Sequence, residues 1–120
     1  MTQQLHLTYK QTVDGLREIV RKSGRDYIDG DYELGCVNFD DEDGQPSCIV
    51  GHLYAMHGIW DEGYWATDSV VELAARGVLT FDSDSTKDIL ANIQKMQDEW
   101  VSWGDALDRA LKSAEEEKTE

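Results

Sequence analysis

The sequence predicts an α+β fold that is predominantly helical, with about five helices beside a small β-hairpin or a two- to three-stranded sheet around residues 32–39 and 78–81. Three observations carry this. Capping signals precede apolar residues at helical spacing in several places. Tyr32 to Phe39 follows a turn signal and reads as a strand. Of the 120 residues 40% are apolar, with four Trp and five Tyr, which suits a folded core and not a disordered acidic chain. At this length one domain is expected. Residues 1–114 read as a single compact unit and 115–120 as a flexible acidic tail.

The elements follow in chain order. Thr8-Tyr9-Lys10-Gln11 fits a capping box, and Val13, Leu16, Ile19 and Val20 then recur at helical spacing up to Gly24, a left-handed stop. This predicts a first helix over 9–22, with Arg17, Arg21 and Lys22 on its flank and near its C-terminal end, where they complement the dipole. Asp29-Gly30-Asp31 marks a turn before the strand at 32–39. Residues 40–46, Asp-Asp-Glu-Asp-Gly-Gln-Pro, form a polar turn. A calcium loop is rejected there, because the EF-hand order needs an oxygen ligand five residues before the glycine and a Glu six after it; the chain offers Phe39 and Val50.

Ser47 caps a short helix from Cys48 to about His57, ended by Gly58. The aromatic linker 59–65 is too irregular to assign. Thr67 or Asp68 caps a helix through Ala75 that stops at Gly77. Val78 to Phe81 reads as a short strand that pairs with 32–39. Ser85-Thr86-Lys87-Asp88 opens a helix to about Glu99, with Ile89, Leu90, Ile93 and Met96 inward. Ser102-Trp103-Gly104-Asp105 opens the last, with Leu107, Ala110, Leu111 and Ala114 on one face.

Charge is distributed as unevenly as it is abundant. The formal net charge is −14, from 25 acidic against 11 basic residues. Residues 1–25 hold five basic and two acidic side chains, and residues 76–120 six and eleven. Residues 26–75 hold twelve acids and no Lys or Arg at all. Such a balance excludes ordinary phosphate-backbone binding, which needs a clustered positive surface. No apolar run approaches the about 18 residues a membrane span requires, and no signal-peptide order is present at the N-terminus. A fifty-residue stretch without a cation cannot neutralise its own carboxylates, so the folded surface is expected to carry a strong negative field. That field serves solubility in the plainest reading. In the functional one it is an acidic face that docks on a basic protein surface, with Asp40, Asp41, Glu42, Asp43, Asp61 and Glu62 as the binding candidates.

One constellation could carry chemistry. Cys36, Cys48, His52 and His57 are spaced Cys-x11-Cys-x3-His-x4-His. Cys48 and His52 share a helical face and Cys36 could join them across the strand–helix corner, giving a candidate zinc set. His57 lies about 180° from Cys48 on an unbroken helix, which places it outside that set. The close Cys-x2–4-Cys pair usual in zinc sites is missing, and two buried thiols with a helix histidine is the plainer account. Cys48 near a helix N-terminus with His52 one turn on could also make a nucleophile and base. No orienting third group is evident, and Ile49-Val50 argue for burial. A Cys36–Cys48 disulfide would be unusual in a reducing cytoplasm. Trp60, Trp65, Trp100 and Trp103 read as closing a small core in preference to lining a groove.

Two stretches carry a resemblance. Cys36-Val37-Asn38-Phe39 and, after the turn, Gln45-Pro46-Ser47-Cys48-Ile49-Val50-Gly51-His52-Leu53 resemble the C-x-Y-V…G-x-P-S-C-I-V-G-H core of small uncharacterised proteins of actinobacterial phages and prophages. Gln97-Asp98-Glu99 with Trp103-Gly104-Asp105-Ala106-Leu107 is similar to the Q-D-x-G-x-x-W-G-x-A signature of the same group, departing from it at Trp100, where a small residue or Gly would sit. The resemblance spans about residues 8–112. It implies an accessory phage gene product in the host cytoplasm and transfers no catalytic residue.

The expected function is therefore non-enzymatic binding of a host or phage protein through an acidic face, with DNA mimicry as its sharper variant. No direct nucleic-acid contact, membrane or cofactor is expected, and the chain is a monomer or homodimer. Two alternatives stay open: a small zinc-stabilised module using Cys36, Cys48 and His52, and a self-associating structural protein whose aromatic linker makes the contact.

Overall fold

A computed structural model describes residues 3–27, 39, 45–60, 65, 68–99 and 101–118. Among them the order is β1 (Leu5–Leu7), α1 (Tyr9–Ser23), α2 (Ile49–Met56), α3 (Val70–Ala75), β2 (Leu79–Phe81), α4 (Asp84–Asp98) and α5 (Trp103–Lys118). The fold is α+β and predominantly helical, as expected.

Helix α1 forms where its local signals place it. Gln11 N donates to Thr8 Oγ1 (3.2 Å) and Thr8 N to Gln11 Oε1 (3.1 Å), which completes the capping box. Val13, Leu16, Ile19 and Val20 are all buried. Gly24 ends the helix at φ +96°, a conformation that costs a residue with a Cβ, and its N donates to Val20 O.

The strand at 79–81 is where the sequence predicts it, and among the described residues its partner is a segment the sequence did not single out. β2 pairs in parallel with β1, in the register Leu5↔Leu79, His6↔Thr80, Leu7↔Phe81. A three-residue Leu-His-Leu segment is too short to announce itself by alternation, and its partner lies beyond three helices. Most of segment 32–39 lies outside the described residues. Its last residue, Phe39, is buried and bridges Pro46 in antiparallel sense, joining the two ends of the expected polar turn.

Both strands run straight into helix N-termini, and Asp82 ties the two together. Its backbone N donates to Leu7 O (3.2 Å). Its carboxylate accepts from Tyr9 N at the start of α1 (3.0 Å) and from Thr86 Oγ1 in the first turn of α4 (2.7 Å). One carboxylate thus serves the positive ends of two helices. These bonds also explain why α4 starts earlier than its Ser85 signal: Ser83, next to Asp82, is the N-cap, accepting from Thr86 N.

Helix α4 is the hub of the core, packing against α5, α2, α3, α1 and β2. Its buried face carries two glutamines among the aliphatics, and each caps another helix. Gln97 Oε1 accepts from Ile49 N (3.0 Å), and Gln94 Oε1 from Val70 N (2.8 Å). The first supplies α2, whose N-cap is Cys48 and not Ser47 and makes no side-chain cap bond. The second adds to α3, whose cap is Ser69, in a capping box with Glu72, and not Thr67 or Asp68. Asp68 instead pairs with Arg76 across the ends of that helix (2.6 Å).

Helix α5 docks its N-terminus on the segment after α1. Trp103 N donates to Tyr27 O (2.9 Å) and Gly104 N to Arg25 O (3.0 Å), while Asp105 N reaches Ser102 Oγ (3.4 Å) and Ala106 N reaches Ser102 O (2.9 Å). The first three N–H groups of the helix thus find partners outside its ladder, and the fourth makes its first i→i−4 bond. Helix α5 continues through Lys118, past Glu115, where the polar tail was expected to begin.

Candidate functional site

The six acidic candidates, Asp40, Asp41, Glu42, Asp43, Asp61 and Glu62, lie outside the described residues. What is visible is where the nearest cations in sequence go. Lys10 pairs with Asp14 (2.6 Å); Arg21 and Lys22 share Glu18 (2.6 and 3.7 Å); Arg25 pairs with Asp108 on α5. The guanidinium of Arg21 holds the Glu18 carboxyl below the ordinary carboxylate range, and Asp108, with lesser help from Asp105 and Asp26, raises Arg25. Four of the five basic residues of the N-terminal segment are thus committed to carboxylates of α1 and α5. The fifth, Arg17, lines a groove of about 380 Å³ between α1 and α5, floored by Val20, Leu107 and Leu111. Glu18 and Asp108 neutralise the other two arginines on that groove, so it presents little net positive charge.

The cysteine–histidine corner is built on the first turns of α2. Cys36 lies outside the described residues. Cys48 is fully buried at the N-cap, and His52 N donates to Cys48 O (3.1 Å). The His52 ring lies edge-on to Trp103, centroids 5.5 Å apart, and Tyr27 packs edge-on against the same indole at 4.6 Å. His52 thus helps seat the N-terminus of α5. His57 falls at the C-cap of α2, away from this corner, as helical geometry requires. Among the described residues no group of three or more His, Cys, Asp or Glu is placed to hold a metal ion. A nucleophile at Cys48 would have no path to solvent, since the residue has no exposed surface.

Tyr54, three residues before His57, is fully buried edge-on to Trp65 at 5.1 Å. Burial, with Cys48 adding to it, pushes its phenol well above the ordinary tyrosine range, so it stays neutral as a core side chain.

The tryptophans divide. Trp65 and Trp103 are buried in the core as expected, whereas Trp60 is 60% exposed. Asp82, Gln94 and Gln97 were not anticipated. The glutamines had a legible signal: they sit at inward positions of the Leu90–Ile93 face, where a polar residue needs a buried partner.

No protein-family model matches the chain, and no curated protein or solved structure gives a significant match.

Proposed function

We propose that this chain is a non-enzymatic, acidic phage accessory protein that binds a host or phage protein in the host cytoplasm through the carboxylates of its cation-free stretch, with Asp40, Asp41, Glu42, Asp43, Asp61 and Glu62 as the contact set. The observation that supports it is the commitment of the neighbouring cations. Lys10, Arg21, Lys22 and Arg25 are paired with Asp14, Glu18 and Asp108, all outside residues 26–75. Of the twelve acids of that stretch Asp26, Asp68 and Glu72 are among the described residues, and Asp68 pairs with Arg76. Twelve acids in fifty residues without a Lys or Arg make a density of like charge that steers association with a basic surface and sets its salt dependence. The phage origin rests on the resemblance of the two sequence signatures. No helix among the described residues is long and apolar enough to cross a membrane.

The test is affinity purification from host lysate with the wild-type chain and with a variant carrying Lys at positions 40–43. Proteins recovered by the wild type are expected to be lost by the variant and to elute with rising salt. An unchanged set of partners refutes the acidic-docking reading. Competition by duplex DNA separates DNA mimicry from other acidic docking, and salt-insensitive binding rejects it.

A further inference from the structure

Resting on that docking reading, we infer that Trp60 is the apolar anchor of the interface, and that the partner presents an apolar pocket bordered by Arg or Lys. Among the described residues Tyr27, Met56 and Val71 are also exposed, but Trp60 is the largest such side chain and the most exposed. Its backbone is held in place from both sides by one residue far away in sequence. Trp60 N donates to Gln3 Oε1 (2.9 Å) and Gln3 Nε2 donates to Trp60 O (3.0 Å). On its N-terminal side, Ile59 is buried and its N donates to Tyr54 O, while Gly58 turns the chain at φ +87°. The indole is therefore presented by a fixed backbone and not by a free loop. A large aromatic displayed this way pays little ordering entropy on binding and has the character of an interface hot spot.

Charge decides between occupants. Trp60 belongs to the cation-free stretch and is followed directly by Asp61 and Glu62. A two-fold dimer across Trp60 would bring together two chains of net charge −14 each, at the cost of like-charge repulsion. A basic partner meets complementary charge, and its Arg or Lys can lie on the indole face as a cation–π contact.

The probe is an amphipathic Leu/Arg peptide, with a Leu/Glu peptide of the same length as control, titrated at two salt concentrations. The variants are Trp60→Ala, Trp60→Phe and a charge variant (Asp40→Lys, Asp41→Lys, Glu42→Lys and Asp43→Lys together), each checked for an unchanged thermal midpoint. Trp60→Ala is expected to weaken binding at least about tenfold with the salt slope unchanged; Trp60→Phe retains most of the affinity. The charge variant is expected to flatten the salt slope. If Trp60→Ala binds like wild type while the charge variant fails, the anchor assignment is overturned and the docking reading stands. If the charge variant binds like wild type, the docking reading itself falls. Sedimentation that shows a wild-type dimer dissociated by Trp60→Ala overturns the proposal in favour of a second copy.

Discussion

Replacing Gly104 by Ala puts two opposing effects at one atom. Gly104 is in the first turn of α5, and helix propensity alone favours Ala there by about 1 kcal/mol. The added Cβ would lie 2.7 Å from Arg25 Cβ, 2.9 Å from Arg25 O and 3.0 Å from Arg25 Cα. Two of those atoms are backbone and cannot swing aside, so overpacking costs about 1–3 kcal/mol. Relief requires lifting the helix start off residues 25–27. That stretches the bonds from Trp103 N to Tyr27 O and from Gly104 N to Arg25 O, each worth about 1 kcal/mol. The net expectation is a loss of about 2–3 kcal/mol, or roughly 10 °C in thermal midpoint for a chain of this size. Urea unfolding followed by circular dichroism measures it, and the near-ultraviolet signal of the Tyr27–Trp103 pair should weaken with it. Gly15→Ala is the control. There the new Cβ would meet Leu53 Cδ1 at 2.6 Å and Met56 Sδ at 3.2 Å, both ends of side chains that can yield. Its net effect is expected within about 1 kcal/mol of zero. A Gly104→Ala protein as stable as wild type, or less perturbed than Gly15→Ala, refutes the close backbone approach.

Gln97→Leu leaves the Ile49 N–H buried without its acceptor and should cost about 1–3 kcal/mol in urea unfolding, with faster hydrogen exchange at the start of α2; a neutral Gln97→Leu would show that the amide finds another partner. Asp82 bears on acid stability. Its folded carboxyl is held low, first by the Tyr9 N–H and then by the Thr86 hydroxyl, so its contribution is complete above the ordinary carboxylate range and is lost as pH falls through the depressed folded value. The stability gap between wild type and Asp82→Asn should therefore close on acidification, and a gap independent of pH would contradict the bridge. Elemental analysis of the purified chain should find zinc far below one equivalent; stoichiometric zinc, lost together with stability in Cys48→Ala, would instead support the Cys36, Cys48 and His52 module.

The first helix was legible in the sequence to within a residue or so because everything that defines it is local. Thr8, Gln11, the Val13–Val20 stripe and Gly24 lie within one short segment, and each makes the interaction its type and spacing predict. The start of α5 at Ser102-Trp103 was legible in the same way, whereas those of α2, α3 and α4 were legible only approximately. Ser47, Thr67, Asp68 and Ser85 are all competent caps, and choosing among competent caps falls to distant groups: Gln97 for α2, Gln94 beside Ser69 for α3, Asp82 beside Ser83 for α4. The acidic candidates were legible as a charge pattern alone, since composition reports the sign of a stretch and not the shape of its surface. Trp60 was grouped with the core tryptophans because hydrophobicity does not distinguish an aromatic that closes a core from one displayed on its edge.

By itself, then, the sequence determined a mostly helical α+β domain and a cation-free stretch, both set by local spacing and composition. Only the tertiary structure decided the parallel pairing of Leu5–Leu7 with Leu79–Phe81, the glutamine caps that α4 gives to α2 and α3, and the seating of Trp103-Gly104 on residues 25–27. The physical reason is separation along the chain. The His6–Thr80, Ile49–Gln97 and Val70–Gln94 bonds join residues 74, 48 and 24 apart. The two buried ones, at Ile49 and Val70, form only once the core has brought both partners out of water, where an unpaired polar group would cost more than the bond returns.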